Sequence, residues 1–245
     1  MQRGEPALRL ERLLANMGCG TRKEVKLLIK SGKVAVNGKI LRDPGAQVIP
    51  GQDQIVCNGQ AVEYRKYIYL MMNKPAGVIS ATEDAKDRTV LDLLDPQYRH
   101  KGIFPVGRLD KDTEGLLLLT NDGPLGHRLL SPKKKVFKTY YARVQGQVTA
   151  ADREAFRNGI VLDDGYRTLP GDLNILSEGP ISEVEVMICE GKYHQVKRMF
   201  LALGKQVLYL KRVAMGDLVL DPRLRPGEYR ELESEEIQRL TAVTE

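Results

Sequence analysis

Four consecutive leucines, Leu116 to Leu119, stand between a charged loop and the polar sequence Thr120-Asn121-Asp122-Gly123. A short apolar run closed by such signals predicts a buried strand, with Asp122-Gly123 as its turn. Near the N-terminus, Leu10, Leu13, Leu14 and Met17 recur at i, i+3, i+4 and i+7, the stripe of an amphipathic helix ending near Gly18. Thr21-Arg22-Lys23-Glu24 has the form of a capping box, in which hydroxyl and carboxylate satisfy each other's backbone amides. The helix it opens runs to about Ser31, with Gly32 as its stop. Val25, Leu28 and Ile29 share one arc of that helix, and Arg22, Lys23, Lys26 and Lys30 the neighbouring arc. Lys33 then leads a short strand into Asn37-Gly38, the strongest short hairpin signal.

The pattern changes after Lys66. Tyr67 to Met72 reads as a strand, ended by the loop signal Asn73-Lys74-Pro75-Ala76-Gly77. A domain boundary near residue 66 follows, with a small module over 1–66 and a larger domain over 67–245. In the stretch from Lys133, alternation puts Val136, Lys138, Tyr140, Ala142 and Val144 on one face of a strand. Helices are predicted over 152–158 and 195–203. In the second, Val196, Met199, Phe200 and Leu203 form the apolar stripe, with Lys197 at its edge and Arg198 nearly opposite. There is no steady βαβ rhythm. The fold class is therefore α+β, with the larger domain on a mixed, mainly antiparallel sheet.

Composition narrows the function. No apolar run approaches the roughly 18 residues of a membrane span, and the first residues lack the apolar stretch of a signal peptide. A cytoplasmic protein with no membrane partner is expected. Cys19, Cys57 and Cys189, and His100, His127 and His194, are scattered without ligand spacing, so no metal and no disulfide framework is expected. Gly18-Cys19-Gly20 lacks the rest of a phosphate loop, which disfavours a nucleotide-driven enzyme. Charge is unevenly placed. Residues 1–66 hold 12 Lys+Arg against 6 Asp+Glu, whereas residues 67–245 hold 26 of each. All of the net +6 thus belongs to the first module, as suits a part that binds a polyanion.

Asp110 follows Gly107-Arg108-Leu109 on a loop anchored to the leucine strand, where catalytic groups are often carried. That string, continued by Glu-Gly-Leu-Leu-Leu-Leu-Thr-Asn-Asp-Gly, resembles the ribosomal-RNA branch of the pseudouridine synthases, whose catalytic aspartate lies in a Gly-Arg-Leu-Asp motif. The resemblance extends over about 67–233 and implies that family's fold. It implies catalysis by Asp110, a target base packed against Tyr140 of Lys-Thr-Tyr, and a basic partner for Asp110 at Lys197. Many relatives carry arginine at that place, so Lys197 is a point charge rather than a bidentate partner. Lys197 or Arg108 would favour the ionised form of Asp110, and His194 is expected to be structural. The reaction exchanges nothing with a second substrate, so no cofactor is expected. Asp110 can act as nucleophile or as base at the sugar, and the target base must leave its stack to reach it.

The first module resembles an S4-type RNA-binding domain over roughly 8–62. Arg9-Leu10 opens the first helix, Thr21-Arg22-Lys23 the second, and Ser31-Gly32-Lys33-Val34 leads to Val36-Asn37-Gly38. The resemblance implies rRNA contacts from Arg9, Arg12, Arg22, Lys23, Lys26, Lys30, Lys33 and Asn37. Arg108, Lys138 and Arg198 are the expected contacts in the larger domain. Glu190-Gly-Lys-Tyr-His-Gln-Val-Lys-Arg-Met-Phe resembles the small-subunit (16S) rRNA enzymes more than 23S relatives with Asn-Arg-x-Val-Arg-Arg. This implies uridine 516 of 16S rRNA, in conventional numbering, as the target. The partner would be rRNA or the assembling small ribosomal subunit, and the enzyme a monomer. Two rivals stay open at this point: a 23S enzyme of the same family, and a non-catalytic RNA-binding or ribosome-assembly protein.

Overall fold

Leu10, Leu13 and Leu14 lie fully buried along one side of α1 (Leu10–Asn16) in the computed structural model, which describes residues 6–62, 64–98 and 101–244. His100 and the first five residues, read above for metal spacing and a signal peptide, lie outside the described residues. The capping box is present. The Thr21 hydroxyl accepts from the Glu24 amide at 3.3 Å, and the Glu24 carboxylate accepts from the Thr21 amide at 2.7 Å. It opens α2 (Arg22–Lys30), whose Val25 and Ile29 join the α1 leucines in one core. Among the described residues six short strands complete this part: β1 (Leu8–Arg9), β2 (Val34–Val36), β3 (Lys39–Ile40), β4 (Gln47–Val48), β5 (Ile55–Cys57) and β6 (Gln60–Ala61). β1 pairs with β4, and the others form an antiparallel sheet in the order β3-β2-β5-β6. Asn37 and Gly38 turn between β2 and β3 with φ of 51° and 78°, the twist a two-residue hairpin needs. This unit takes in Met1–Ile68 and Leu94–Ile103; the second comprises Tyr69–Leu93 and Phe104–Glu245.

The second unit is built on a nine-stranded sheet. Its strands are β7 (Tyr69–Lys74), β8 (Phe104–Pro105), β9 (Glu114–Thr120), β10 (Lys138–Gln145), β11 (Asp172–Ser177), β12 (Ile181–Ile188), β13 (Gln206–Met215), β14 (Leu218–Val219) and β15 (Tyr229–Glu231). The order is β11-β12-β10-β13-β9-β7-β15, with β14 on β13 and β8 on β9. Among the described residues β9 and β13 pair in parallel and every other pair of this sheet is antiparallel. The mixed, mainly antiparallel α+β architecture is the one the pattern predicts.

The leucine run is β9, between β7 and β13. Leu116 to Leu119 are all fully buried, so both faces are covered, and that is why the run is continuous rather than alternating. Gly115 at its start is required by geometry. Its φ is 102°, and a Cβ there would stand 2.2 Å from the Arg212 carbonyl oxygen across the parallel step.

Asp122-Gly123 is not a turn between strands. The Asp122 carboxylate accepts from the Leu125 amide at 3.0 Å and caps α3 (Gly123–Leu130). Gly123, Pro124 and Gly126 hide that helix in the sequence, because glycine is a poor helix former. Proline is harmless in a first turn, and Gly126 lets the helix sit close against Phe104. The remaining α-helices among the described residues are α4 (Ala150–Asn158), α5 (Gln195–Ala202) and α6 (Ser234–Ala242). α6 went unpredicted; its buried Leu240 belongs to the core formed by Met71, Leu116, Leu118 and Leu129.

Candidate active site

The loop from Gly107 to Thr113, between β8 and β9, carries Asp110 and is fastened along its length. The Ser80 hydroxyl donates to the Leu109 carbonyl and accepts from the Leu109 amide, both at 3.0 Å. The Gly77 amide donates to the Lys111 carbonyl at 2.7 Å, and the Thr113 amide to the Asp110 carbonyl at 3.1 Å. Beneath the loop lies Lys74, the last residue of β7 and fully buried. Its ammonium donates to the carbonyls of Pro75 and Thr113 at 2.9 Å and of Lys111 at 3.4 Å. Burial pushes its pKa down to about 8, against the pull of Asp112, Asp110 and Glu114. The sequence pattern marks Lys74 only as part of a loop signal; it is in fact the strand residue that staples the Asp110 loop.

Asp110 Oδ2 lies 3.1 Å from Lys197 Nζ, and its Oδ1 lies 3.6 Å from His194 Nε2. The same lysine donates to Asp112 Oδ1 at 2.6 Å. Burial lowers the pKa of Lys197, but its bonds to Asp112 and Asp110 outweigh this and the net shift is upward. The Lys197 bond in turn holds the Asp112 carboxyl below its usual range. A permanently charged ammonium therefore bridges two carboxylates. Asp112, a second claimant for Lys197, has no signal in the sequence beyond lying two residues after Asp110.

Asp110, Arg108, Tyr140, Ile188, His194 and Leu210 line one cleft. Tyr140, Ile188 and Leu210 are buried, so a carboxylate stands beside apolar walls and one aromatic ring. Opposite the Asp110 loop, the segment from Glu190 to Gln195 is organised by a buried carboxylate. Glu190 accepts from the Gln195 side chain at 2.7 Å, the Leu169 amide at 2.9 Å and the Tyr166 hydroxyl at 2.7 Å. The Gln195 side-chain oxygen accepts from the Lys192 amide at 2.8 Å, and His194 adopts left-handed backbone with φ of 48°. Neither Glu190 nor Gln195 was assigned a role from the sequence: Glu190 is tied to Tyr166 and Leu169, more than twenty residues away, and the local Gln195–Glu190 bond depends on a carboxylate whose burial the sequence does not show.

The expected RNA contacts divide. Arg9, Arg12, Arg22, Lys23, Lys26, Lys30 and Lys33 are all exposed on the first unit, with Lys26 3.3 Å from Glu11. Arg108 is exposed at the cleft. Lys138 has to be corrected: it is 5% exposed, and its ammonium faces the carbonyls of Cys189 at 3.4 Å and Leu129 at 3.5 Å. The alternation that puts it on the face of Tyr140 also puts it inside, where burial pushes its pKa down to about 8. It is not available to a phosphate. Arg198 is held by Asp163 and by Asp164 at 2.8 Å, which compensates its charge locally. Asn37 commits its carboxamide to the hairpin, donating to Asp53 at 2.8 Å and accepting from the Gln54 amide at 2.9 Å.

Residues 68–202 match the RNA pseudouridylate synthase family, and residues 8–63 match the S4 domain. The chain belongs to the RNA pseudouridine synthase family. An uncharacterised RNA pseudouridine synthase of Bacillus subtilis is 50% identical over 234 residues, covering 95% of this chain and 98% of that protein. Ribosomal small subunit pseudouridine synthase A of Vibrio cholerae is 42% identical over 231 residues, 94% of this chain and 98% of that one. Ribosomal large subunit pseudouridine synthase B of Bacillus subtilis is 40% identical over 240 residues, 97% of each chain. A crystal structure of a pseudouridylate synthase superposes with a TM-score of 0.66 at 37% identity, covering 95% of this chain and 99% of that one. This RNA pseudouridine synthase therefore carries an S4 domain at its N-terminal end and isomerises uridine to pseudouridine in RNA. The non-catalytic reading is set aside.

Proposed function

We propose that this RNA pseudouridine synthase modifies ribosomal RNA, with Asp110 as the catalytic carboxylate, Tyr140 against the target base and Lys197 as the cationic partner of Asp110. The observation that carries this reading is Asp110 on a fastened loop, in a cleft lined in part by buried Tyr140, Ile188 and Leu210, with an ammonium 3.1 Å away. In the reaction the bond from ring nitrogen to sugar breaks, the base turns over, and carbon 5 bonds to the same sugar carbon while losing its proton. Acting as nucleophile or as base at the sugar, Asp110 has to be ionised, and a nearby cation favours that form. Because its pKa is raised, Lys197 serves as a fixed charge rather than a proton source. Ile188, Leu210 and Tyr140 keep water from the detached base.

The target we favour is 16S rRNA, at the uridine conventionally numbered 516. Support comes from the Glu190–Phe200 string, which resembles the small-subunit enzymes, and from the Vibrio cholerae relative so named. A 23S target is the second reading, favoured by the large-subunit relative at 40% identity. The exposed basic residues of α1 and α2 would hold the rRNA backbone of the assembling small subunit. We place the enzyme in the cytoplasm as a monomer; no helix among the described residues is long and apolar enough to cross a membrane. The test uses 16S and 23S transcripts, free and in assembling particles, with tritium on carbon 5 of uridine. Isomerisation releases that tritium to water. Release from 16S substrates is expected, release from 23S alone moves the target, and release from neither ends the rRNA assignment.

A further inference from the structure

Tyr193 is 74% exposed and lies in the chain between Lys192 and His194, two residues that line the cleft holding buried Tyr140. Its ring is nevertheless fixed. It stacks on the His194 imidazole with centroids 3.8 Å apart and 16° between planes. The next residue in this array is Asp110, 3.6 Å from His194 Nε2, so carboxylate, imidazole and phenol follow one another outward from the site. The backbone that carries the pair is braced on both sides. Arg198 Nη1 donates to the Tyr193 carbonyl at 3.5 Å, the Lys192 amide donates to the Gln195 side chain, and Gln195 is locked to buried Glu190. The Lys192 ammonium lies 4.5 Å from the centre of the Tyr166 ring, on an exposed residue beside the platform.

We propose that the Tyr193–His194 stack is a base-binding subsite, which takes the base of a nucleotide flanking the target uridine. The inference rests on the reading of Asp110 as the place where an RNA uridine is isomerised. A target base that leaves its stack exposes the faces of its neighbours. An aromatic ring set in advance replaces the lost stacking without having to be ordered on binding. Stacking of this kind accepts any base, because every base has a π-face. The platform therefore contributes to grip next to the target, whereas the pocket around Tyr140 reads the uracil itself. A tyrosine merely bracing the loop would be buried; here the residue is 74% exposed with one ring face on His194, while the bracing is done by Glu190 and Gln195.

The experiment compares wild type, Tyr193→Ala and Tyr193→Phe on an rRNA fragment that the wild type modifies. Abasic residues are placed in turn at the positions flanking the target. For the wild type, one abasic position should lower kcat/KM roughly 5- to 150-fold, the range of one base–aromatic stack. Tyr193→Ala should lose a similar factor on intact RNA and lose nothing further on that abasic RNA. Tyr193→Phe should match the wild type. An unchanged urea midpoint would show that the exposed substitution leaves the fold intact. Wild-type kcat/KM for Tyr193→Ala on intact RNA, or losses from variant and abasic site that simply multiply, would overturn the subsite while leaving the function standing. No turnover by the wild type on any rRNA fragment would overturn the function and the subsite together.

Discussion

Lys197 lies between two carboxylates, 3.1 Å from Asp110 and 2.6 Å from Asp112, and its substitution separates charge from packing. Lys197→Met keeps the aliphatic stem, and kcat/KM should fall about 10- to 100-fold, the worth of one charged hydrogen bond. Lys197→Arg should stay within about tenfold of wild type, since arginine can bond carboxylates at least as well. Wild-type turnover by Lys197→Met across about pH 6 to 8 would disprove the pairing. Lys74 makes a different prediction. Its pKa in the fold, about 8, lies below the 10.5 of a free lysine, so between those values the unfolded chain holds more proton. Stability then rises with pH through that window, because the cost of burying the charge is relieved as the ammonium deprotonates. Relative to Lys74→Met, the wild type should gain in urea midpoint between about pH 8 and 10; a constant difference would contradict the shift. Asp110 and Lys197 were legible because the strings around them resemble the family's motifs; helical spacing alone puts Lys197 only at the edge of an apolar stripe. Lys138 was misread because period two assigns a face without saying what covers it. Glu190 and Lys74 were missed because their hydrogen bonds to distant segments leave no local pattern, and Gln195 because its role follows from buried Glu190.

At the scale of elements, β9 shows why the Asp110 loop has a firm base. Its parallel step against β13 tolerates no side chain at Gly115, where a Cβ would meet the Arg212 carbonyl at 2.2 Å. Gly115→Ala should cost at least about 2–3 kcal/mol through backbone strain and displacement of β13. Thermal denaturation would detect it, and a melting temperature within about a degree of wild type would refute the close approach. α2 carries the opposite kind of prediction, one of binding without stability. Arg22, Lys23, Lys26 and Lys30 are exposed, so changing all four to Gln should leave the apolar core of the unit intact. Affinity for rRNA should fall, and the slope of log K against log salt should become shallower by up to about 3. Identical slopes in a salt titration would show that α2 does not touch phosphate. Both helices of this unit and its hairpin follow from apolar spacing, a capping box and Asn37-Gly38. α3 did not, because its glycines and proline carry a loop signal that tertiary packing overrides.

Over the whole molecule, basic residues exceed acidic ones 12 to 6 in 1–66 and balance at 26 and 26 beyond it, which favours the first module for contacts to phosphate. The two units are not two continuous halves, since Leu94–Ile103 belongs with the first. Sequence composition could not reveal that excursion, because a segment's partners are set by the fold and not by its own residues. It also makes charge substitutions a cleaner test of RNA binding than removal of residues 1–66, which would strip Leu94–Ile103 of its unit. The account as a whole stands on Asp110 isomerising a uridine of rRNA. The direct measurement maps pseudouridine along 16S and 23S rRNA from cells lacking this protein, supplied with wild type or with Asp110→Asn. One position, in 16S rRNA, should lose its pseudouridine without the protein, regain it with wild type and stay unmodified with Asp110→Asn. An rRNA map that does not change when the protein is removed, or full restoration by Asp110→Asn, would contradict the account.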